Sequence, residues 1–197
     1  MSNETRVLID PAGAFRQLMR EPGDGWWIAA RRPLFLLFVI GCVVSFQTSG
    51  RLTARLIVDG AVSFAFIPLF ELVSLAIVYR RRPPRPVSFA RAVDLFFAAN
   101  APWLVWMLAF VALRSVQTPR QATALPLPLW RTLELSLLAV AAWSIYIDLH
   151  FFREVLPRAD GRSARDLMLQ RVVGWSSALL YFFGLATWPE IAGRIFR

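Results

Sequence analysis

Five long apolar stretches, nearly free of charge, constrain this chain more than any other feature. A helix rises about 1.5 Å per residue, so roughly 20 apolar residues reach across the hydrocarbon core of a bilayer. The stretches run from about Pro33 to Thr48, Gly60 to Tyr79, Ala92 to Leu113, Leu129 to Leu149 and Val172 to Ala192. They predict an all-α fold: a polytopic membrane protein with five transmembrane helices and short interfacial helices. Of its 197 residues 57% are hydrophobic, more than the about 45–50% of a soluble domain. Two segments are expected: a cytoplasmic N-terminal segment over 1–32 carrying an interfacial amphipathic helix, and a five-span membrane domain over 33–197.

The charge pattern orients the spans. All 22 basic residues are arginine, and the net charge is +9. The segments before the first span and after the second and fourth hold fifteen arginines; the other three hold seven. Arginine-rich connections stay in the cytoplasm. The N-terminus is therefore expected inside, the C-terminus outside, and the protein in the inner (cytoplasmic) membrane of a bacterium. No cleavable signal peptide is expected, because Ser2-Asn3-Glu4 lacks a basic n-region. In a soluble protein this charge would suggest nucleic acid. Beside apolar spans it suggests anionic lipid headgroups instead, so no nucleic-acid partner is expected.

Within the N-terminal segment, Pro11 to Arg20 reads as a short helix. Pro11 suits the first helical position and Asp10 the N-cap. Ala14, Phe15, Leu18 and Met19 share one face, and Arg16, Gln17 and Arg20 the other. Trp26, Trp27, Arg31 and Arg32 follow, as in a segment lying in the headgroup layer. With Arg80, Arg81 and Arg82 after the second span, these residues are the expected contacts for lipid headgroups or a partner. Ser163 and Asp166 resemble a capping box for a helix running from Ala164 into the fifth span.

Two spans carry irregularities at polar residues. The second holds Pro68 with Glu71 three residues on; the third holds Asn100-Ala101-Pro102. A carboxylate inside a span costs about 2.5 kcal/mol or more, so it marks either a functional site or a packing joint. Proline frees backbone carbonyls that a carboxamide can satisfy. If the two spans pack together, Glu71, Pro68, Asn100 and Pro102 form a polar pocket near the membrane centre. Asp94 can pair with Arg91, and Arg131 with Glu134. Asp148 and His150 sit near the inner end of the fourth span.

Catalytic patterns are absent. A single histidine and a single cysteine, Cys42, leave no Ser-His-Asp triad, metalloprotease pair or thiolate metal site. No glycine-rich phosphate loop is present. The chain is expected to be non-enzymatic, with no metal and no cofactor.

Several short stretches resemble the bacterial branch of the Yip1-domain family. Asp10-Pro11-Ala12-Gly13-Ala14-Phe15 followed by Glu21-Pro22 resembles its cytoplasmic lead-in. Ala99-Asn100-Ala101-Pro102-Trp103 is similar to its third-span signature. Trp143 to Phe152, Arg153-Glu154-Val155 and Ala164 to Gly174 resemble its fourth-span end and entry to the fifth. The resemblance implies five spans with a cytoplasmic N-terminus. The tyrosine- and glycine-rich motifs of the eukaryotic trafficking members are not evident.

Two functions follow as expectations. The first is a scaffold or accessory subunit that binds a membrane protein partner, lipids or a second copy of itself. The alternative is a small-solute or ion transporter or channel component, with its site at Glu71 and Asn100.

Overall fold

The computed structural model describes residues 3–21, 23, 25–81, 86–115, 127–157 and 161–195. Among them are helices and turns and no strand: α1 (Asn3–Arg6), α2 (Pro11–Leu18), α3 (Trp26–Ser49), α4 (Ala54–Ser63), α5 (Phe66–Arg80), α6 (Phe89–Ala98), α7 (Ala101–Ser115), α8 (Leu127–Glu154) and α9 (Ser163–Ile195).

Three helices are long and apolar enough to cross a membrane: α3, the run Ala54–Arg80 that joins α4 to α5, and Arg131–Glu154 of α8. A fourth is added if α6 and α7, bent by 43°, form one span. Apolar helices of this length suggest a membrane protein. The expected count of five becomes three or four among the described residues. The expected fifth span falls in α9, which has 33 residues but, among the described residues, no membrane-length stretch as apolar as the others. Trp175, Ser176, Ser177 and Gly184 dilute its apolar run. Of the loops expected at residues 80–86 and 117–128, residues 82–85 and 117–126 lie outside the described residues, and Leu127 and Pro128 belong to α8.

Both broken helices break where proline dictates. A proline ring clashes with the carbonyl four residues earlier and supplies no N–H to it. Four residues before Pro68 is Phe64, and there α4 ends. The Phe64 carbonyl accepts from the Ile67 N–H at 3.1 Å instead, closing a tighter turn. Four residues before Pro102 is Ala98, the last residue of α6. Pro33 behaves differently. Expected to open the first span, it sits inside α3, which begins at Trp26. The boundary expected between residues 32 and 33 therefore falls within a continuous helix, and Trp26 to Arg32 are its first turns.

The N-terminal helix also differs from expectation in what covers it. Asp10 caps α2 by accepting from the Gly13 N–H at 3.0 Å, with Pro11 in the first turn, as the sequence implies. Its apolar face meets protein rather than headgroups. Phe15 and Ala14 are fully buried, and the Phe15 ring stands edge-on to Phe151 at 5.9 Å. Phe151 in turn packs on Phe96 at 5.4 Å and Phe152 at 5.1 Å. A face already buried against α6 and α8 has no apolar area left to insert in a bilayer. Arg16, largely exposed, reaches Glu154 at the end of α8 at 3.5 Å.

These contacts gather one end of the bundle. The start of α3, the end of α5, the start of α6 and the end of α8 all meet there, with α2 across them. The arginine-rich segments singled out in the sequence flank that shared end.

Ser163 does not take the capping position expected of it. It is the first residue of α9, and its hydroxyl donates to the Phe152 carbonyl at 3.3 Å, tying α9 to the end of α8.

Candidate functional site

The two irregular places in the sequence come together. Asn100 Nδ2 donates to Glu71 Oε2 at 3.2 Å. Asn100 sits in the two-residue break between α6 and α7, and Glu71 lies one turn after Pro68 on α5. Each proline thus acts indirectly: it opens the backbone, and the polar side chain beside the opening closes the gap between helices. Pro68 is buried at the start of α5, and Pro102 lies in the first turn of α7.

A line of polar groups continues from Glu71 into α9 and α8. Ser74, one turn along α5, donates from its hydroxyl to the Glu71 carbonyl at 2.9 Å and accepts from Gln170 Nε2 at 3.2 Å. Gln170 is 1% exposed, and its amide oxygen has no hydrogen-bond partner. The adjacent Arg171 donates to Ser144 at 3.2 Å and forms an ion pair with Asp148, whose side chain is fully buried. The second Asp148 oxygen has no partner, nor has Arg171 Nε.

Beside Glu71 a pocket of about 200 Å³ opens between α5 and α9. Phe66 and Ile67 form one wall, Trp175, Leu179 and Phe182 the other; Glu71 and Gln170 supply polar groups. The arrangement is an apolar cleft with a carboxyl group and a buried amide in its wall, the pattern of a small-ligand site.

Gln170, Ser74 and Arg171 carry this site although the sequence drew attention to none of them. A signal existed for two. Ser74 lies three residues after Glu71, and Gln170 and Gly174 lie four apart, each pair on one helix face. Arg171 lies within the helix expected from Ala164 into the fifth span, but nothing in the sequence pairs it with Asp148, 23 residues earlier.

The basic residues are placed differently. Arg31 grips Asp94 with two bonds, Nε to Oδ1 at 2.8 Å and Nη2 to Oδ2 at 3.0 Å. Arg32 Nε adds a third at 2.8 Å, and the expected Arg91 pair a fourth at 3.1 Å. Arg91 also donates to the Leu18 carbonyl, joining α6 to α2. Asp94 thus collects three guanidiniums; 42% of the Arg31 side chain stays exposed. Trp26 and Trp27 stand edge to face at 5.7 Å and are exposed. Arg80 and Arg81 are exposed at the end of α5, while Arg82 lies outside the described residues. So does the Glu134 side chain, and with it the expected pair to Arg131. His150 packs edge-on against Tyr146 at 4.7 Å, away from any metal-binding cluster among the described residues.

The fold and site describe an all-helical protein with several membrane-length apolar helices and a polar seam between them. No family model matches the chain, and no curated protein and no solved structure matches it either.

Proposed function

We propose that this chain is a non-enzymatic integral membrane protein that binds, and lets pass, a small solute or ion at the polar seam around Glu71 and Asn100. The Glu71–Asn100 hydrogen bond across two proline breaks carries this reading. An ionisable group is costly in a span and is kept where it meets a partner or a pathway. Irregular backbone at membrane depth is tolerated where it lines a cavity. The arginine bias supports placement in a bacterial inner membrane with the N-terminus in the cytoplasm. On the stretches quoted above, membership of the bacterial Yip1-domain branch, with five spans and an outward C-terminus, belongs to the same proposal.

A stopped-flow swelling assay tests the site. Proteoliposomes carrying wild type or Glu71→Gln are challenged with methylammonium, acetate and glycerol. A pathway through Glu71 is expected to lose on the order of 10-fold in rate for at least one of these on substitution, given the cost of placing charge there. Equal rates for both proteins and empty vesicles sink the transport part of the reading.

The second reading is a scaffold or accessory subunit. It is favoured by the wide apolar surface left uncovered on α3, α4 and α9, where Phe38, Val62, Leu180 and Phe183 are all more than half exposed. Lipid or a partner's helices would both cover it. Native mass measurement of protein gently extracted from its own membrane separates the readings. A stoichiometric second protein supports the subunit; a particle of this chain and lipid alone supports the solute site.

A further inference from the structure

We infer that the pocket beside Glu71 is a site for a small organic cation: an ammonium head on an apolar body about the size of one aromatic ring. The inference rests on the proposed solute-binding reading and narrows it to one chemical class.

Charge points to a cation. Among the described residues the Glu71 carboxyl meets the neutral Asn100 amide, while Asp148 pairs with Arg171, so an ionised Glu71 carries its charge without an arginine of its own. Of the two carboxylates, Asp148 is held by Arg171, and Glu71 is the one that lines the pocket. An unbalanced charge in an apolar setting is stabilised strongly by an ion of opposite sign.

Hydrogen-bonding capacity points to a donor. The Gln170 side-chain oxygen is buried and unpartnered, while its nitrogen is already committed to Ser74. Glu71 therefore brings a carboxyl group to the pocket, and the Gln170 oxygen lies buried in the wall beside it without a donor. A primary ammonium carries three donors and no acceptor, which matches. A carboxylate or phosphate brings only acceptors and is repelled.

Shape and walls set the body. A dry apolar cavity of about 150 Å³ is known to hold benzene. This pocket, at about 200 Å³, has room for one ring and a short chain. Phe66, Trp175 and Phe182 line it, and aromatic faces attract cations within about 6 Å, tryptophan most strongly. Trp175 and Phe182 are each more than half exposed on the outer side of α9, so the cleft opens sideways, where the bilayer is expected. An amphipathic amine that partitions into the membrane can enter from there.

The test uses the full chain in phosphatidylcholine nanodiscs at pH 7, with binding followed by titration calorimetry. Three probes share one ring: phenethylammonium, 2-phenylethanol and phenylacetate. The ammonium is expected to bind on the order of 10-fold tighter than the alcohol, as a hydrogen bond to a charged group gives, and phenylacetate not at all. Glu71→Gln is expected to erase the preference for ammonium over alcohol while leaving alcohol binding in place. Because the three probes are compared first on wild type, a misfolded variant does not blunt the result. Equal binding of ammonium and alcohol, or a preference that survives Glu71→Gln, overturns the cation assignment and leaves a solute site of another class. Failure of all three probes to bind overturns both the assignment and the solute-site reading.

Discussion

Asp94→Ala is expected to cost about 3–5 kcal/mol of stability, the usual loss when one partner of a buried ion pair is removed. The Asp94 side chain is fully buried and receives hydrogen bonds from Arg31, Arg32 and Arg91. Removing it leaves three guanidiniums close together, with Glu21, 3.8 Å from Arg91 and itself 45% exposed, as a weaker acidic neighbour. Arg31 and Arg32 have exposed surface and can turn outward. Arg91 cannot: its side chain is 6% exposed, and it ties α6 to the Leu18 carbonyl of the N-terminal segment. The damage therefore spreads to α2, whose docking depends on that bond and on Phe15. In a chain of this size 1 kcal/mol moves the melting temperature by about 2–4 °C. Thermal unfolding of the detergent-solubilised protein should show a drop of roughly 6–20 °C by the same conversion. Arg55→Ala is the contrast: the Arg55–Asp59 pair is 91% and 60% exposed, and no measurable change is expected. A wild-type melting curve for Asp94→Ala would falsify the view that this carboxylate holds the start of α3 to α6.

Gly41→Ala is expected to destabilise by about 1–3 kcal/mol, the range for overpacking a filled interior. The sign is informative. In an open helix, replacing glycine by alanine gains about 0.5–1 kcal/mol. At Gly41 the added methyl would stand 2.2 Å from the Ile57 carbonyl oxygen, a backbone atom of α4 that no rotamer change can move aside. From the other helix, a methyl at Gly60 would meet the Val44 Cβ at 2.8 Å and the Gly41 Cα at 3.2 Å. Two glycines thus let α3 and α4 touch backbone to backbone, the small-residue packing that holds helices together in lipid. At Gly184 on α9 an added methyl would have open space within 4 Å, so Gly184→Ala should be neutral or slightly stabilising. A lowered melting temperature for Gly41→Ala beside an unchanged or slightly raised one for Gly184→Ala is the expected result. A Gly41→Ala protein as stable as wild type would mean that α3 and α4 can slide apart freely.

Much of the local structure was legible from residues. Asp10 and Pro11 announce the start of α2, and Pro68 and Pro102 announce two breaks one turn upstream, because capping and proline sterics act within a few residues. The pairing of Asp94 with Arg91 was readable for the same reason, the two lying three apart on one helix. The meeting of Glu71 with Asn100 was legible only as a condition: it holds if the second and third apolar runs pack together. Its neighbours Gln170 and Arg171 were not, because the polar seam runs through α9, far along the chain. Arg31 and Arg32, expected as headgroup or partner contacts, also bind a carboxylate more than 60 residues away, a pairing that local context does not reveal.

The amino-acid pattern alone decided that this chain is helical, rich in membrane-length apolar segments and most basic toward one set of connections, since length, hydropathy and proline sterics are properties of consecutive residues. Tertiary structure decided which face of α2 is covered and which carboxylate meets which arginine. Those outcomes depend on pairwise contacts between distant segments, where burial and charge are shared. Asp94 under three arginines and Glu71 at its pocket differ in surroundings, not in kind: each is a carboxylate on an apolar helix, and only the neighbours make one a clasp and the other a candidate binding group.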